Sequence, residues 1–287
     1  MRIILIGYGV VGQSFSKLIS IRKNELIKRY GLNPRIVAIA DRGGVVVNQR
    51  GLELEETLKM KLERGTVAGG EMKNVTALDL IQSLDAEVVI EATPTNIKTG
   101  EPGLSHIEAA IKVKKQVITT NKGPLALAMP ALLELARYNH VHLLFSGSVG
   151  GGTPILDFGR RCLAVDRILS IQGILNGTTN FILTKMEKDG VDFDEALKLA
   201  QKMGYAEADP SLDIDGWDTT CKIVILANWL MRKEVTLKDV KVMGIRGIKI
   251  DEVKAAAEQG FSIKLIGSVN GGLEVKPQMV KKSDPLC

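Results

Sequence analysis

Arg2-Ile-Ile-Leu-Ile-Gly7-Tyr-Gly-Val-Val-Gly12 runs four consecutive apolar residues into three glycines spaced G-x-G-x-x-G, and a segment follows in which Phe15, Leu18 and Ile19 repeat at helical spacing. An apolar strand, a tight turn and an amphipathic helix in that order form a dinucleotide-binding fingerprint. The glycines let the backbone turn sharply and approach a pyrophosphate, which then rests on the partial positive charge of the helix N-terminus. Gly7, Tyr8, Gly9, Val10, Val11 and Gly12 are therefore the candidate cofactor loop.

The same rhythm continues outward. Arg35 to Ala40, Glu87 to Ile90, Val117 to Thr119 and Val141 to Phe145 read as strands, while Leu104, Ile107 and Ile111, then Leu132, Leu133 and Ala136, mark helices between them. Alternation of this kind predicts an α/β fold, a Rossmann-type doubly wound parallel sheet whose ligands lie beyond the carboxyl ends of its strands. Gly147-Ser-Val-Gly-Gly-Gly-Thr-Pro154 breaks the pattern and predicts a boundary, with a dinucleotide-binding domain over 1–146 and a second domain over 147–287. The second half reads as α+β. Arg167 to Ile174 is strand-like, helices begin near Asn176, Asp192 and Gly216, and Ser262 to Val269 pairs with Leu273 to Val280 across Asn270-Gly271-Gly272 as a hairpin. Asp192 and Glu195 fit a capping box, and Gly204 stands where a C-cap glycine belongs.

At 287 residues, 45% hydrophobic and 25% charged, the chain can bury two cores. Its net charge of +5 comes from bases scattered over segments such as Ile21 to Arg29 and Lys112 to Lys115, and only 4% of residues are aromatic. That pattern suits solvated helix faces and argues against nucleic-acid binding. No apolar run approaches the roughly 20 residues that span a bilayer, and the first residues enter a structural motif at once, so neither membrane insertion nor secretion is expected. Cys162, Cys221 and Cys287 are odd in number and lack metal-ligand spacing, which points to a reducing cytoplasm. His106, His140 and His142 fall on different elements and do not suggest a catalytic metal.

Asp41 ends the second predicted strand, where a carboxylate can accept hydrogen bonds from an adenosine ribose. Arg42 follows it, and a guanidinium there can hold a 2′-phosphate. NAD and NADP both stay open, with Arg42 favouring NADP.

A second concentration of chemistry lies in Gly204-Tyr-Ala-Glu-Ala-Asp-Pro-Ser-Leu-Asp-Ile-Asp-Gly-Trp-Asp-Thr-Thr-Cys-Lys222, where five carboxylates precede one lysine. Glu207, Asp209, Asp213, Asp215 and Asp218 repel one another unless cations relieve them. On a helix from Gly216, Asp215, Asp218 and Lys222 would share one face at i, i+3 and i+7. Asp209 precedes a proline and reads as a cap or turn.

Three further segments complete the set: Glu91-Ala-Thr-Pro-Thr-Asn96 with Gly100-Glu-Pro102, Val117-Ile-Thr-Thr-Asn-Lys-Gly-Pro-Leu-Ala126, and Gly173-Ile-Leu-Asn-Gly-Thr-Thr-Asn-Phe-Ile-Leu183. Together with Gly204 to Lys222, and in this order, they make the chain resemble homoserine dehydrogenase in its monofunctional form, without an aspartokinase. The resemblance extends over the whole chain. It implies interconversion of L-homoserine and L-aspartate 4-semialdehyde with NADP or NAD on the route to threonine, methionine and isoleucine. It also implies a homodimer built through a substrate-binding and dimerisation domain.

By the same resemblance Lys222 is the general acid/base and Lys122 a second cation at the sheet's carboxyl edge. Glu207 and Asp213 are assigned to the substrate's ammonium end, Asp218 to the reacting hydroxyl, and Tyr205, Gly177 and Thr178 to the rest of the substrate surface. Thr93, Pro94, Asn121 and Lys122 join the cofactor set. Two departures from the family pattern stand out. Ser146 replaces a common glutamate ahead of a turn that can hold a monovalent cation such as Na+, leaving the backbone carbonyls of Val149, Gly151 and Thr153 as its donors. Asp284-Pro-Leu286 resembles the point after which family members carry another strand and a returning helix, so the expectation is either a truncated form or a nucleotide domain that closes differently. Two alternatives accompany this reading: another nicotinamide-dependent dehydrogenase of an amino-acid pathway, or a catalytically weak cofactor-binding dimer.

Overall fold

Four buried residues in a row, Ile3 to Ile6, can be satisfied only at the centre of a sheet covered on both faces. The structure, a computed structural model, describes residues 1–68 and 75–287. It divides into two compact units, Met1–Gly152 and Thr153–Cys287.

The first unit begins with β1 (Arg2–Ile6), α1 (Val10–Tyr30), β2 (Arg35–Asp41), β3 (Gly44–Val47), α2 (Leu54–Arg64) and α3 (Ala77–Ser83). It continues with β4 (Val88–Glu91), α4 (Gly103–Lys112), β5 (Gln116–Thr119), α5 (Lys122–Tyr138) and β6 (Leu143–Leu144). The six strands lie in the order β3-β2-β1-β4-β5-β6, all parallel except β3, which runs antiparallel to β2. β3 is absent from the sequence reading. Its valines follow β2 through Arg42 and Gly43, and Gly44 at φ 143° supports so short a return. β6 covers two residues rather than Val141 to Phe145. Ile3, Leu5, Ile36, Ile39, Val88 and Ile90 pack with Tyr8 and Val67 into one cluster. Local signals set the helix ends: Gly31, at φ 66°, closes α1 with its N–H on Ile27, and Thr76 and Asp79 form a reciprocal capping box on α3.

In the second unit come α6 (Ile155–Asp157), β7 (Ile171–Gly173), α7 (Gly177–Asp189), α8 (Phe193–Lys202), α9 (Ser211–Ile214) and α10 (Trp217–Met231). β8 (Val240–Val242), α11 (Ile250–Glu258), β9 (Phe261–Asn270) and β10 (Gly272–Lys281) complete it. The sheet order is β7-β9-β10-β8. The β9–β10 hairpin turns at Gly271, φ 71°, where the Asn-Gly-Gly signal places it. β8 pairs in parallel with β10, and its three residues leave too little pattern to read from sequence. β7 is likewise shorter than Arg167 to Ile174.

Asp192 does precede α8, but its side chain makes no capping bond; Asp194 and Glu195 supply negative charge to the first turn instead. The buried helix of this unit is α10, with Thr219, Thr220, Cys221 and Ile223 to Ala227 all shielded. It lies close to β9 at Gly267, where an added Cβ would stand 2.6 Å from Ile223. Among the described residues no helix is long and apolar enough to cross a membrane.

Candidate functional site

In the first unit α1 leads the chain from β1 to β2 on one side of β1, while β4 lies on the other. The carboxyl ends of β1 and β4 thus flank a topological switch point, where α/β sheets bind ligands. The three glycines divide the work there. Gly7 has φ 92°, and a Cβ on it would fall 2.4 Å from the carbonyl carbon of Ala92. At Gly12 a Cβ would fall 2.2 Å from the carbonyl oxygen of Gly7, so helix and strand touch backbone to backbone. Gly9, by contrast, faces open space with nothing within 4 Å of its Cβ position, and no side chain caps α1 there. Space and unsatisfied N–H groups at one helix end can take a pyrophosphate.

Val10 and Val11 are exposed beside this opening. Tyr8 turns the other way: it is buried, its hydroxyl bonds Ser16 at 2.9 Å, and burial pushes the phenol pKa up against the lowering effect of Ser16. Tyr8 offers the loop only its backbone.

Asp41, the candidate ribose acceptor, meets donors of its own unit. Its carboxylate accepts from the Gly43 N–H at 2.8 Å, the Thr66 hydroxyl at 2.8 Å, the Lys61 ammonium at 2.7 Å and the Val67 N–H at 3.0 Å. A carboxylate has about four lone-pair sites, so its acceptor capacity is filled. With 4% of its side chain exposed, Asp41 ties the end of β2 to α2 and to the segment after it. Arg42 is exposed.

Across the switch point, Thr93 and Pro94 follow β4, and Asn121 and Lys122 follow β5. Asn121 caps α5 by accepting from the Gly123 N–H at 3.1 Å, and its amide reaches the Thr93 hydroxyl at 3.2 Å and the Pro94 carbonyl at 3.4 Å. Thr93, Pro94 and Asn121 form one hydrogen-bonded seam, and Lys122 follows Asn121 at the first turn of α5.

The second unit holds the acid cluster. Lys222 donates to Asp218 at 2.7 Å and to the Leu175 carbonyl at 2.5 Å, while the Asn176 amide bridges Asp213 at 2.7 Å and Asp218 at 2.9 Å. Asp218 and Lys222 are nearly enclosed, with side chains 8% and 16% exposed. Thr178 bonds the Tyr205 carbonyl at 2.8 Å, and Tyr205 stacks on Phe181 with ring centroids 4.6 Å apart. Gly177 is exposed at the start of α7, and Glu207 is exposed beside Tyr205.

Asp215 does not join Asp218 and Lys222 on one face. Gly216, at φ 87°, separates α9 from α10, and Asp215 turns outward into a two-pronged pair with Arg246 at 2.8 and 3.1 Å. Asp209 accepts from the Ser211 N–H at 3.1 Å, the turn its proline suggests. Asn176 and Leu175 are the members sequence reading missed. The Asn-Gly-Thr-Thr signal marks Asn176 as a helix cap, and it is one, accepting from the Thr179 N–H; its bridge to two aspartates has no local signature. Among the described residues no group of acidic, histidine and cysteine side chains could hold a metal ion.

A Rossmann-type sheet with an open glycine loop in one unit, and an enclosed lysine–carboxylate cluster in the other, define a nicotinamide-dinucleotide oxidoreductase. Residues 7–146 match the pattern described as the NAD-binding domain of homoserine dehydrogenase, and residues 154–287 that described as homoserine dehydrogenase. The chain is 44% identical to homoserine dehydrogenase of Methanocaldococcus jannaschii, over all of this chain and 86% of that protein. Identity is 37% with an NAD(+)-dependent homoserine dehydrogenase of Pseudomonas canavaninivorans, over all of this chain and 84% of that one. A hyperthermophilic archaeal homoserine dehydrogenase in complex with NADPH superposes with a TM-score of 0.83 at 26% identity, covering 99% of this chain and 83% of that one. The chain belongs to the homoserine dehydrogenase family, and it is an NAD(P)-dependent oxidoreductase.

Two predictions follow from the glycine loop and from Asp41. Gly9→Ala is expected to keep the native melting temperature while weakening coenzyme binding about tenfold, and Gly7→Ala to lower the melting temperature itself; thermal melts and fluorescence titration with NADPH separate the two. At Asp41, burial pushes the carboxyl up, but Lys61, Thr66 and the N–H groups of Gly43 and Val67 outweigh it and hold the pKa below the usual value. A depressed folded pKa contributes stability above the unfolded value of about 3.9 and loses it as pH falls through the folded one. Urea melts should therefore show a stability gap between the native chain and Asp41→Asn that is flat above about pH 5 and narrows below about pH 4.

Proposed function

We propose that Lys222 carries the proton in the interconversion of L-homoserine and L-aspartate 4-semialdehyde. The reaction requires the hydroxyl proton to leave while a hydride departs from the same carbon, and the oxidised nicotinamide accepts that hydride. An ammonium has three N–H bonds. Two of those on Lys222 are directed at Asp218 and the Leu175 carbonyl, which aims the third at a substrate oxygen. This two-point hold on the Lys222 ammonium is the observation that carries the proposal. In reduction Lys222 gives its proton to the aldehyde oxygen; in oxidation the neutral amine takes it from the hydroxyl.

The neighbouring groups fill the remaining roles. Glu207 and Asp213 face the substrate ammonium, Asp218 orients the hydroxyl through the lysine it holds, and the α7 N-terminus at Gly177 and Thr178, with Tyr205, receives the carboxylate. Lys122 is the second cation, and Thr93, Pro94 and Asn121 meet the coenzyme. The same proposal includes the dinucleotide-binding and substrate domains as functional halves, a homodimer, a cytoplasmic setting and a monovalent cation on the carbonyls of the glycine-rich turn at Val149, Gly151 and Thr153. Hard oxygen donors suit such an ion.

For the coenzyme, Arg42 supports NADP. With the Asp41 carboxylate filled, the exposed guanidinium is the group at the end of β2 that can meet a 2′-phosphate.

Lys222→Ala is expected to lower turnover by roughly 10² to 10⁴ with coenzyme affinity nearly intact, measured at the nicotinamide absorbance band with L-homoserine. Near-native turnover rejects the assignment. Arg42→Ala should weaken NADP binding about tenfold and leave NAD binding alone; an unchanged affinity ratio removes the basis for an NADP preference.

A further inference from the structure

Glu91 is fully buried at the end of β4, yet no lysine or arginine bonds it among the described residues. Its carboxylate works as a hub. One oxygen accepts from both the N–H and the hydroxyl of Thr93, and the other accepts from the Thr119 hydroxyl at 3.0 Å. Each threonine hydroxyl is in turn an acceptor for Asn121. Thr93 receives its side-chain amide at 3.2 Å and Thr119 its backbone N–H at 3.0 Å. A carboxylate is acceptor-only, so it forces both hydroxyl protons toward itself and both free lone pairs toward Asn121. That polarity leaves the Asn121 carbonyl oxygen for the Gly123 N–H, at the first turn of the helix that begins with Lys122.

The remaining side of the hub is closed by α4. A Cβ on Gly103 would stand 2.6 Å from the Asn121 amide and 3.2 Å from Glu91, so the helix backs directly onto the seam. From the same helix His106, 7% exposed, turns Nδ1 toward Glu91 Oε1 at 4.0 Å, and that nitrogen has no hydrogen-bond partner. A lone pair in that place would oppose a carboxylate oxygen; an N–H would favour it.

We infer that Glu91, with the Nδ1–H of His106 facing it, is a positioning residue that orients Thr93, Asn121 and the start of α5 for the coenzyme and for Lys122. The inference rests on the proposed coenzyme role of that seam. Glu91 acts through the threonines and Asn121 and is itself too buried to touch a ligand. A glutamine in its place brings an amide donor against the Thr93 or Thr119 donors, which turns the seam.

The test uses the full chain as Glu91→Gln, Glu91→Asp and Thr119→Val, assayed with L-homoserine and NADP, with active sites counted by NADPH fluorescence titration. Misplacement of reacting groups by about 1 Å costs about 10²-fold. Glu91→Gln is therefore expected to lose about 10²-fold in kcat per coenzyme-binding site with KM for homoserine held within about twofold. Glu91→Asp, still acceptor-only, should recover part of the loss. A scaffolding role alone would reduce the number of sites and leave kcat per site intact. Thr119→Val removes one spoke at constant shape and should lower kcat by about tenfold, which keeps the test open if Glu91→Gln does not fold.

Folded variants with native kcat per site overturn the inference. So does an imidazole ¹⁵N spectrum of the native chain, readable with only three histidines, in which His106 Nδ1 lacks its proton. A native chain that neither binds NADPH nor oxidises homoserine overturns the parent reading and this one with it; an active native chain with unaffected variants removes only the inference.

Discussion

Where the turn after β1 meets the turn after β4, there is no room for a side chain. Gly7 approaches Ala92, and Gly12 approaches Gly7, at distances that exclude a Cβ. This contact brings α1 down onto its own strand and leaves the helix's unsatisfied N–H groups facing outward at Gly9. Packing and coenzyme chemistry therefore share one requirement. A methyl group at either inner glycine would push the helix away, and with it the partial charge that makes the N-terminus useful to an anion. The same contact sets Thr93, the residue after Ala92, beside the seam that Glu91 organises.

The second unit solves a different problem, the self-repulsion of its acids. Rather than sharing one counter-charge, they are dispersed: Asp215 pairs outward with Arg246, Asp209 caps a turn, and Asp213 and Asp218 are bridged by the Asn176 amide. Lys222 then pairs with Asp218 on the enclosed side. Separation of that kind matters for chemistry. A lysine held by one carboxylate and one carbonyl keeps a defined direction for its remaining proton, while a lysine among five competing acids would not.

Much of this was legible in the residues. β1, the helix after it, the switch-point position of the glycine loop and the β9–β10 hairpin all rest on local patterns of period and turn chemistry that need no distant partner. Short strands without such a pattern, β3 and β8, were not legible, because pairing with β2 and β10 decides them. The site divided along the same line. Lys222 and Asp218 were readable because a helix places i and i+4 together; Asn176 was not, since its partners lie 37 and 42 residues away. Asp215 misled because the helical register was carried back through Gly216, where the chain leaves the helix.

Asp41 and Glu91 define the limit of reading function from an acid at a strand's carboxyl end. Both occupy positions where ligands of such sheets gather, and both are buried against donors from their own unit. What separates a ligand-reading carboxylate from a structural one is the number of donors already aimed at it. Asp41 has four, which fill it, and Glu91 has three with His106 across its remaining side and no exposure, so neither is open to a ligand. Their influence on chemistry must pass through the groups they hold. For Asp41 those are Lys61, Thr66 and the N–H groups of Gly43 and Val67; for Glu91 they are the threonine hydroxyls and, through them, Asn121, whose proton directions are dictated by an acceptor that never reaches the surface.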